Sequence, residues 1–345
     1  MPLHKFIQKL ILIGVRLPTD PLPDKPHPPE ALKPLIAAVR LSHQAFNSRA
    51  VDFGHRYRSA FWAIYLLSAT AVLCACLPLA LGWDDERNQY NHLSIVWVIA
   101  EVLVIMLVGL IFWRGHRQNW QGQWLAARTE AELAWYLPVI APLIDFDNGA
   151  VESNWYSLLF NPDLQKQAEA DIKILCNSVM ELSRTSLAGV WSDPNFVTAY
   201  AQWSVNILQG QRYYHRHVAC YQHALLHRVH TINGWLFGLT AVAALSHLMF
   251  HSKVLTLMTT FLPALAASLH GALAQSEAYR LESTSLRLVT ELDQAIIPIR
   301  QTLESADPLA QIESLQAAIL SAVSLILDEH QDWHMLVRPH HLHLG

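Results

Sequence analysis

The sequence predicts an all-α integral membrane protein in which two transmembrane helical hairpins, four spans in all, continue into a cytoplasmic helical bundle. Three observations predict it. Four apolar runs occur as two close pairs, 61–82 with 93–113 and 235–251 with 254–274, and only Glu101 is charged within them. The 345 residues are 52% hydrophobic and 15% charged, whereas a soluble domain carries roughly 25% charged residues. No segment alternates polar and apolar residues with the period of two that a half-buried strand requires.

The elements follow in order. Residues 1–34 form an N-terminal segment, in which Lys5, Lys9 and Arg16 surround Ile11-Leu12-Ile13, followed by a proline-rich stretch. The apolar core is too short for a signal peptide and suits an interfacial amphipathic helix. Pro18 to Pro34 forbids regular helix and reads as a linker or strap. A first unit, 35–150, opens with Leu35, Ala38, Val39, Leu41 and Phe46 near a 3.6 period and leads through His55-Arg56-Tyr57-Arg58 into the first hairpin. Trp62 and Trp113 at one end of that hairpin, with Trp83, Tyr90 and Trp97 near the other, suit aromatic belts. A second unit, 151–345, holds an amphipathic stretch at 164–182 and a proline-free run from Phe196 to His230 that enters the third span. The fourth span continues through Ala274 to Arg280 with no Gly or Pro, so the helix should pass straight out of the membrane. Leu286, Val289, Leu292 and Ile296 then share a face up to Pro298, and 315–327 is a last amphipathic helix. Both units repeat one order of helix, span, turn, span, helix, with Tyr213-Tyr214-His215-Arg216 standing where the first has His55 to Arg58.

Lysine and arginine set the orientation. Nine precede the first span, nine lie between the hairpins, four follow the last span, and the two turns hold one each, Arg87 and Lys253. The positive-inside rule therefore places both termini and the middle segment in the cytoplasm.

A formal charge of −4 supplies no basic field for nucleic acid. The four cysteines make neither a disulfide framework nor a zinc spacing. There is no P-loop, HExxH or GxSxG, so neither catalysis nor a cofactor is expected. His223, His227 and His230 share a helical face, but no Asp or Glu joins them on that helix, so a membrane-proximal groove suits them better than a metal. The tail histidines His340, His341 and His343 are likewise not expected to bind a metal. Glu101 lies about 12 Å into the second span, where an ionised carboxylate costs roughly 2.5–3.5 kcal/mol. It must face protein or water, and Thr70 on the first span with Thr259 and Thr260 on the fourth are partners for a polar seam or cation path. The alternatives are a protonated Glu bonded to one of those hydroxyls, or a span that starts later. Ala264, Ser268 and Ala272, with Gly271 beside them, recur every four residues and suit close helix packing rather than a pore wall.

Trp120, Trp124, Arg128 and Glu132 recur every four residues on the helix leaving the first hairpin. This exit, Trp120-Gln121-Gly122-Gln123-Trp124 through Arg128 to Ala131-Glu132, resembles that of the SLATT superfamily, the SMODS and SLOG-associating two-transmembrane effectors. Trp203 through Gln211 to Tyr214-His215, Pro263 to Ala267 through Gln275 to Arg280-Leu281, and Asp332-Trp333 with Arg338-Pro339 resemble the same proteins in the same order. Trp135 departs from the pattern, standing where a basic residue is expected. The resemblance implies a duplicated-hairpin effector of a bacterial nucleotide-signalled antiviral or conflict system. Such a protein would oligomerise in the inner membrane and permeabilise it when a nucleotide or a co-encoded sensor protein signals. Two other classes fit the composition: a constitutive ion channel or small transporter, and a non-conducting anchor for a cytoplasmic partner.

Overall fold

A computed structural model describes residues 1–17, 27–83, 85, 87–143, 170–250, 252–305, 307 and 309–336. Among these residues the protein is all-helical, with no strand. The helices are α1 (Leu3–Ile11), α2 (Lys33–Leu81), α3 (His92–Arg117), α4 (Trp120–Ile140), α5 (Ala170–Ser186), α6 (Pro194–His247), α7 (Lys253–Gln275), α8 (Ala278–Glu304) and α9 (Ile312–Leu336). Of the proline-rich stretch, 18–26 lie outside the described residues. Its end forms a single 3-10 turn, Glu30–Leu32, that leads into α2, where Pro34 sits in the first helical turn and costs no hydrogen bond.

Among the described residues five helical stretches are long and apolar enough to cross a membrane: Glu30–Leu81, His92–Arg117, Pro194–His247, Lys253–Glu304 and Leu309–Leu327. Four contain the runs expected from the sequence. The fifth belongs to α9, whose Leu315, Ile319, Ala322, Val323, Ile326 and Leu327 are buried in a helical core while Glu313 and Ser314 are exposed. That one-sided pattern is what a helix on the flank of a bundle needs.

The chain makes two compact units, and these cut across the sequence halves 35–150 and 151–345. One comprises 1–18, 54–121 and 218–283, the other 19–53, 122–217 and 284–345. The first unit holds α1 and both apolar hairpins, with a core of Ile7, Phe61, Trp62, Leu225, Leu226, Val229, Leu269, Ala272, Leu273 and Ala278. Trp62, expected in an aromatic belt, is fully buried in this core, and its indole N–H has no hydrogen-bond partner among the described residues. The cause is its position: it shares the core with α1 and α6, which cover the start of the run.

In the second unit α4 is the central helix, buried from Glu130 to Ile140 except at Trp135. Tyr200 is wholly buried and donates its hydroxyl to the Val139 carbonyl at 2.5 Å, while the Trp191 indole N–H donates to the Pro142 carbonyl at 2.8 Å. The end of a helix leaves its last carbonyls without intrahelical donors. Here two aromatic side chains supply donors in a place water does not reach.

Three local expectations change. The exit of α7 is not straight: the helix stops at Gln275 and α8 starts at Ala278. Ser276 turns its N–H to the Ala272 and Leu273 carbonyls and its hydroxyl to Leu273, and Glu277 adopts φ +56°. A serine side chain competing for the last carbonyls, followed by one left-handed residue, ends a helix without Gly or Pro. The third apolar run stops early, because α6 ends at His247 rather than 251. Finally, α8 runs on through Pro298 to Glu304.

Candidate functional site

Two elbows give the hairpins a shared geometry. Asn119 (φ 44°) and Glu277 (φ 56°) are the only non-glycine residues with positive φ among the described residues. Each ends a two-residue break after the second helix of a hairpin. The hydrogen bonds match as well: Gln118 N–H to Arg114 and Asn119 N–H to His116 in the first, Ser276 N–H to Ala272 and Glu277 N–H to Ala274 in the second. At the first elbow the Trp120 ring covers Gly115, where a Cβ would meet the ring at 3.2 Å, and its indole N–H donates to Gln118 Oε1 at 2.8 Å. The two exits thus share one backbone conformation. Nothing in the sequence marks Glu277 for it, since a left-handed Glu is sterically disfavoured.

Among the described residues none of the seam hydroxyls bonds to Glu101. Glu101 is half-buried on α3. It makes no side-chain hydrogen bond among the described residues. The hydroxyls of Thr70, Thr259 and Thr260 are each spent on their own helix, donating to the Leu66, Thr256 and Thr256 carbonyls at 2.9, 3.0 and 2.9 Å. Glu101 flanks a half-covered stripe of α3 formed by Trp97, Ala100, Val104 and Val108. The remaining faces of α3 are exposed and apolar, and no residue of this 26-residue helix is buried.

Close packing on α7 centres on Gly271. A Cβ there would stand 2.9 Å from Tyr65 Cδ1 and closer still to Cε1, so the ring of α2 needs that glycine. Ser268 and Ala272 are buried beside it, and Ala264 is half-covered.

The exit motif forms an ion pair within itself. Arg128 pairs with Glu132, which is largely buried, and the ring of His43 on α2 lies tilted against Trp135, 5.1 Å between centroids. Burial lowers the His43 pKa, opposed by the nearby Glu132 carboxylate and reinforced by Arg128. Trp124 is half-covered.

Three histidines of α6, His215, His223 and His230, each meet a different residue of α8 instead of converging. In the first unit His230 Nε2 lies 2.5 Å from the Tyr279 hydroxyl and His223 Nδ1 lies 2.7 Å from Glu282 Oε1. In the second, His215 Nδ1 lies 3.5 Å from Ser285 Oγ, and Arg212 pairs with Asp293 at 2.5 Å. Among the described residues no group of three His, Cys, Asp or Glu side chains could hold a metal ion. The tail histidines lie outside the described residues. Cys176 is buried, and its thiol is pushed up to about 12, which leaves it an inert core residue. A shallow groove of about 430 Å³ between α2 and α5, lined by Ala38, Ser42, Phe46, Ile174 and Ser178, presents no titratable side chain.

The chain matches no family model, and no curated protein or solved structure is significantly similar to it.

Proposed function

We propose that the protein is a multi-pass effector of the bacterial inner membrane, belonging to the SLATT superfamily in duplicated-hairpin form. Its two hairpins cross the bilayer four times, both termini are cytoplasmic, and the helical unit built around α4 receives a signal from a nucleotide or a co-encoded sensor protein. The signal rearranges the spans of an oligomer so that ions leak. The observation that carries the membrane part is α3: a helix whose run from Leu93 to Trp113 is apolar all round apart from Glu101, with no residue buried by its own chain, is stable only in lipid or against other protein. The effector part is carried by the four motifs of the sequence resemblance, and the repeated elbows support the duplicated hairpin.

The test is ion flux from liposomes containing the purified protein, with and without its co-encoded partner or candidate nucleotides. Signal-dependent potassium release is the expected result. Release without any signal would favour a constitutive channel, and no release together with harmless expression in cells would favour an anchor. Glu101→Gln should change the cation preference or pH dependence of the flux while leaving insertion intact. Identical rate, selectivity and pH response would remove Glu101 from the pathway.

A further inference from the structure

Helix α1 has three distinct faces. His4 and Ile7 are buried against the first unit, with Ile11 half-covered beside them. Leu3, Phe6 and Leu10 form a second, apolar face that Ile13 continues in the turn after the helix, and the four are 43%, 58%, 58% and 64% exposed. Lys5 and Lys9 are exposed on a third face, and exposed Arg16 follows the helix. At about 100° per residue these faces follow one another around the axis. A soluble helix has no use for the second face, since it already has a packed one.

The depth of α1 is fixed by what holds it. His4 Nδ1 lies 3.1 Å from the Ser59 hydroxyl, Gln8 Oε1 accepts from the Tyr221 hydroxyl at 3.0 Å, and the Ile13 carbonyl accepts from Arg228 at 2.9 Å. Ser59 directly precedes the first apolar run, and Tyr221 and Arg228 precede the third by a few helical turns. These anchors surround the point where the chain enters the apolar hairpins. Gly14, at φ +79°, turns the chain away just past the helix.

We propose that α1 lies in the plane of the cytoplasmic leaflet, with Phe6, Leu10 and Ile13 among the acyl chains and Lys5, Lys9 and Arg16 on the phosphates of anionic phospholipids. The occupant is lipid because the apolar face sits at the depth of the headgroup boundary, and it is anionic lipid because the only formal charges on α1 are basic. The proposal rests on the membrane reading above and adds a lipid-binding surface to it.

The experiment uses the full-length chain with its native cysteines replaced by Ala and a bimane label at Leu10→Cys, or at Phe6→Cys as an independent second site. The protein is reconstituted in mixed phosphatidylcholine and phosphatidylglycerol, with bromine on the acyl chains of one lipid or the other. A label at Leu103→Cys on α3 reports the hairpin. Both α1 sites should be quenched, more strongly by brominated phosphatidylglycerol. Lys5→Gln with Lys9→Gln should weaken that preference, by about fivefold in local lipid ratio per lysine, leaving what Arg16 supplies. Quenching at Leu103 with none at Phe6 or Leu10 overturns the proposal alone. Equal quenching of the α1 sites by both lipids overturns the anionic headgroup site. No quenching at Leu103 overturns both the membrane reading and the proposal.

Discussion

Tyr200→Phe tests the central helix of the second unit by removing a single oxygen. The ring stacks nearly parallel on Phe196 at 5.6 Å and meets Trp191 edge-on at 5.5 Å, and Phe keeps both contacts. The loss is the donor to Val139, a residue 2% exposed near the end of α4. A buried carbonyl left without its donor costs about 1–3 kcal/mol, and sparing the phenol its own desolvation returns part of that. A net loss of about 1–2 kcal/mol follows, or roughly 2–8 °C for a unit of this size. Burial pushes the phenol well above its ordinary value, so the hydroxyl remains a donor throughout the accessible pH range. Thermal unfolding of the detergent-solubilised chain, followed by tryptophan fluorescence, gives the measurement. Tyr200→Ala should cost about 3–5 kcal/mol because it also opens a cavity. A Tyr200→Phe protein that melts at or above the parent would refute the argument, because the carbonyl would then have another donor.

Gly271→Ala should destabilise the first unit by about 1–3 kcal/mol through overpacking against Tyr65. Gly238→Ala on α6, where a Cβ meets nothing within 4 Å, should not, and equal effects in thermal unfolding would count against the close approach. Glu277→Gly should stabilise by about 0.5–1 kcal/mol, since a left-handed side chain costs about 1–2 kcal/mol and glycine's greater unfolded freedom returns part of it. Asn119→Gly should gain less, because Asn tolerates that conformation, and the reverse order would refute the elbow geometry. His4 is held neutral, its pKa lowered to about 3 by burial first and then by Arg58, His55 and Lys5. Between pH about 6.5 and 3 the unfolded chain binds a proton that the folded chain refuses, so this contribution is lost as pH falls through that window. His4→Asn should flatten the stability profile there, and an unchanged slope would mean that His4 is not so held.

The helical class was legible because the apolar runs and the 3.6 period are local signals, and α2, α3 and α7 hold their runs close to where composition puts them. The elbows were not. Ser276-Glu277 has no Gly or Pro, and what bends the chain is a serine competing for carbonyls beside Ala278, a residue buried by distant helices. Trp62 was misread for a related reason: an aromatic residue at the edge of an apolar run looks the same whether lipid or α1 and α6 cover it. The ion pair of Arg128 with Glu132 follows directly from their spacing of four, whereas the pairs between α6 and α8 depend on which helices become neighbours.

The entry and exit helices of the hairpins differ in continuity. Helices α2 and α6 run on for 49 and 54 residues, about 75–80 Å of helix each. The helix that closes each hairpin ends instead just before a left-handed residue, Asn119 or Glu277, where the ladder of i to i−4 hydrogen bonds is interrupted. A substitution at either elbow therefore acts on a backbone already outside the regular ladder, whereas a proline placed in the middle of α2 or α6 would break one.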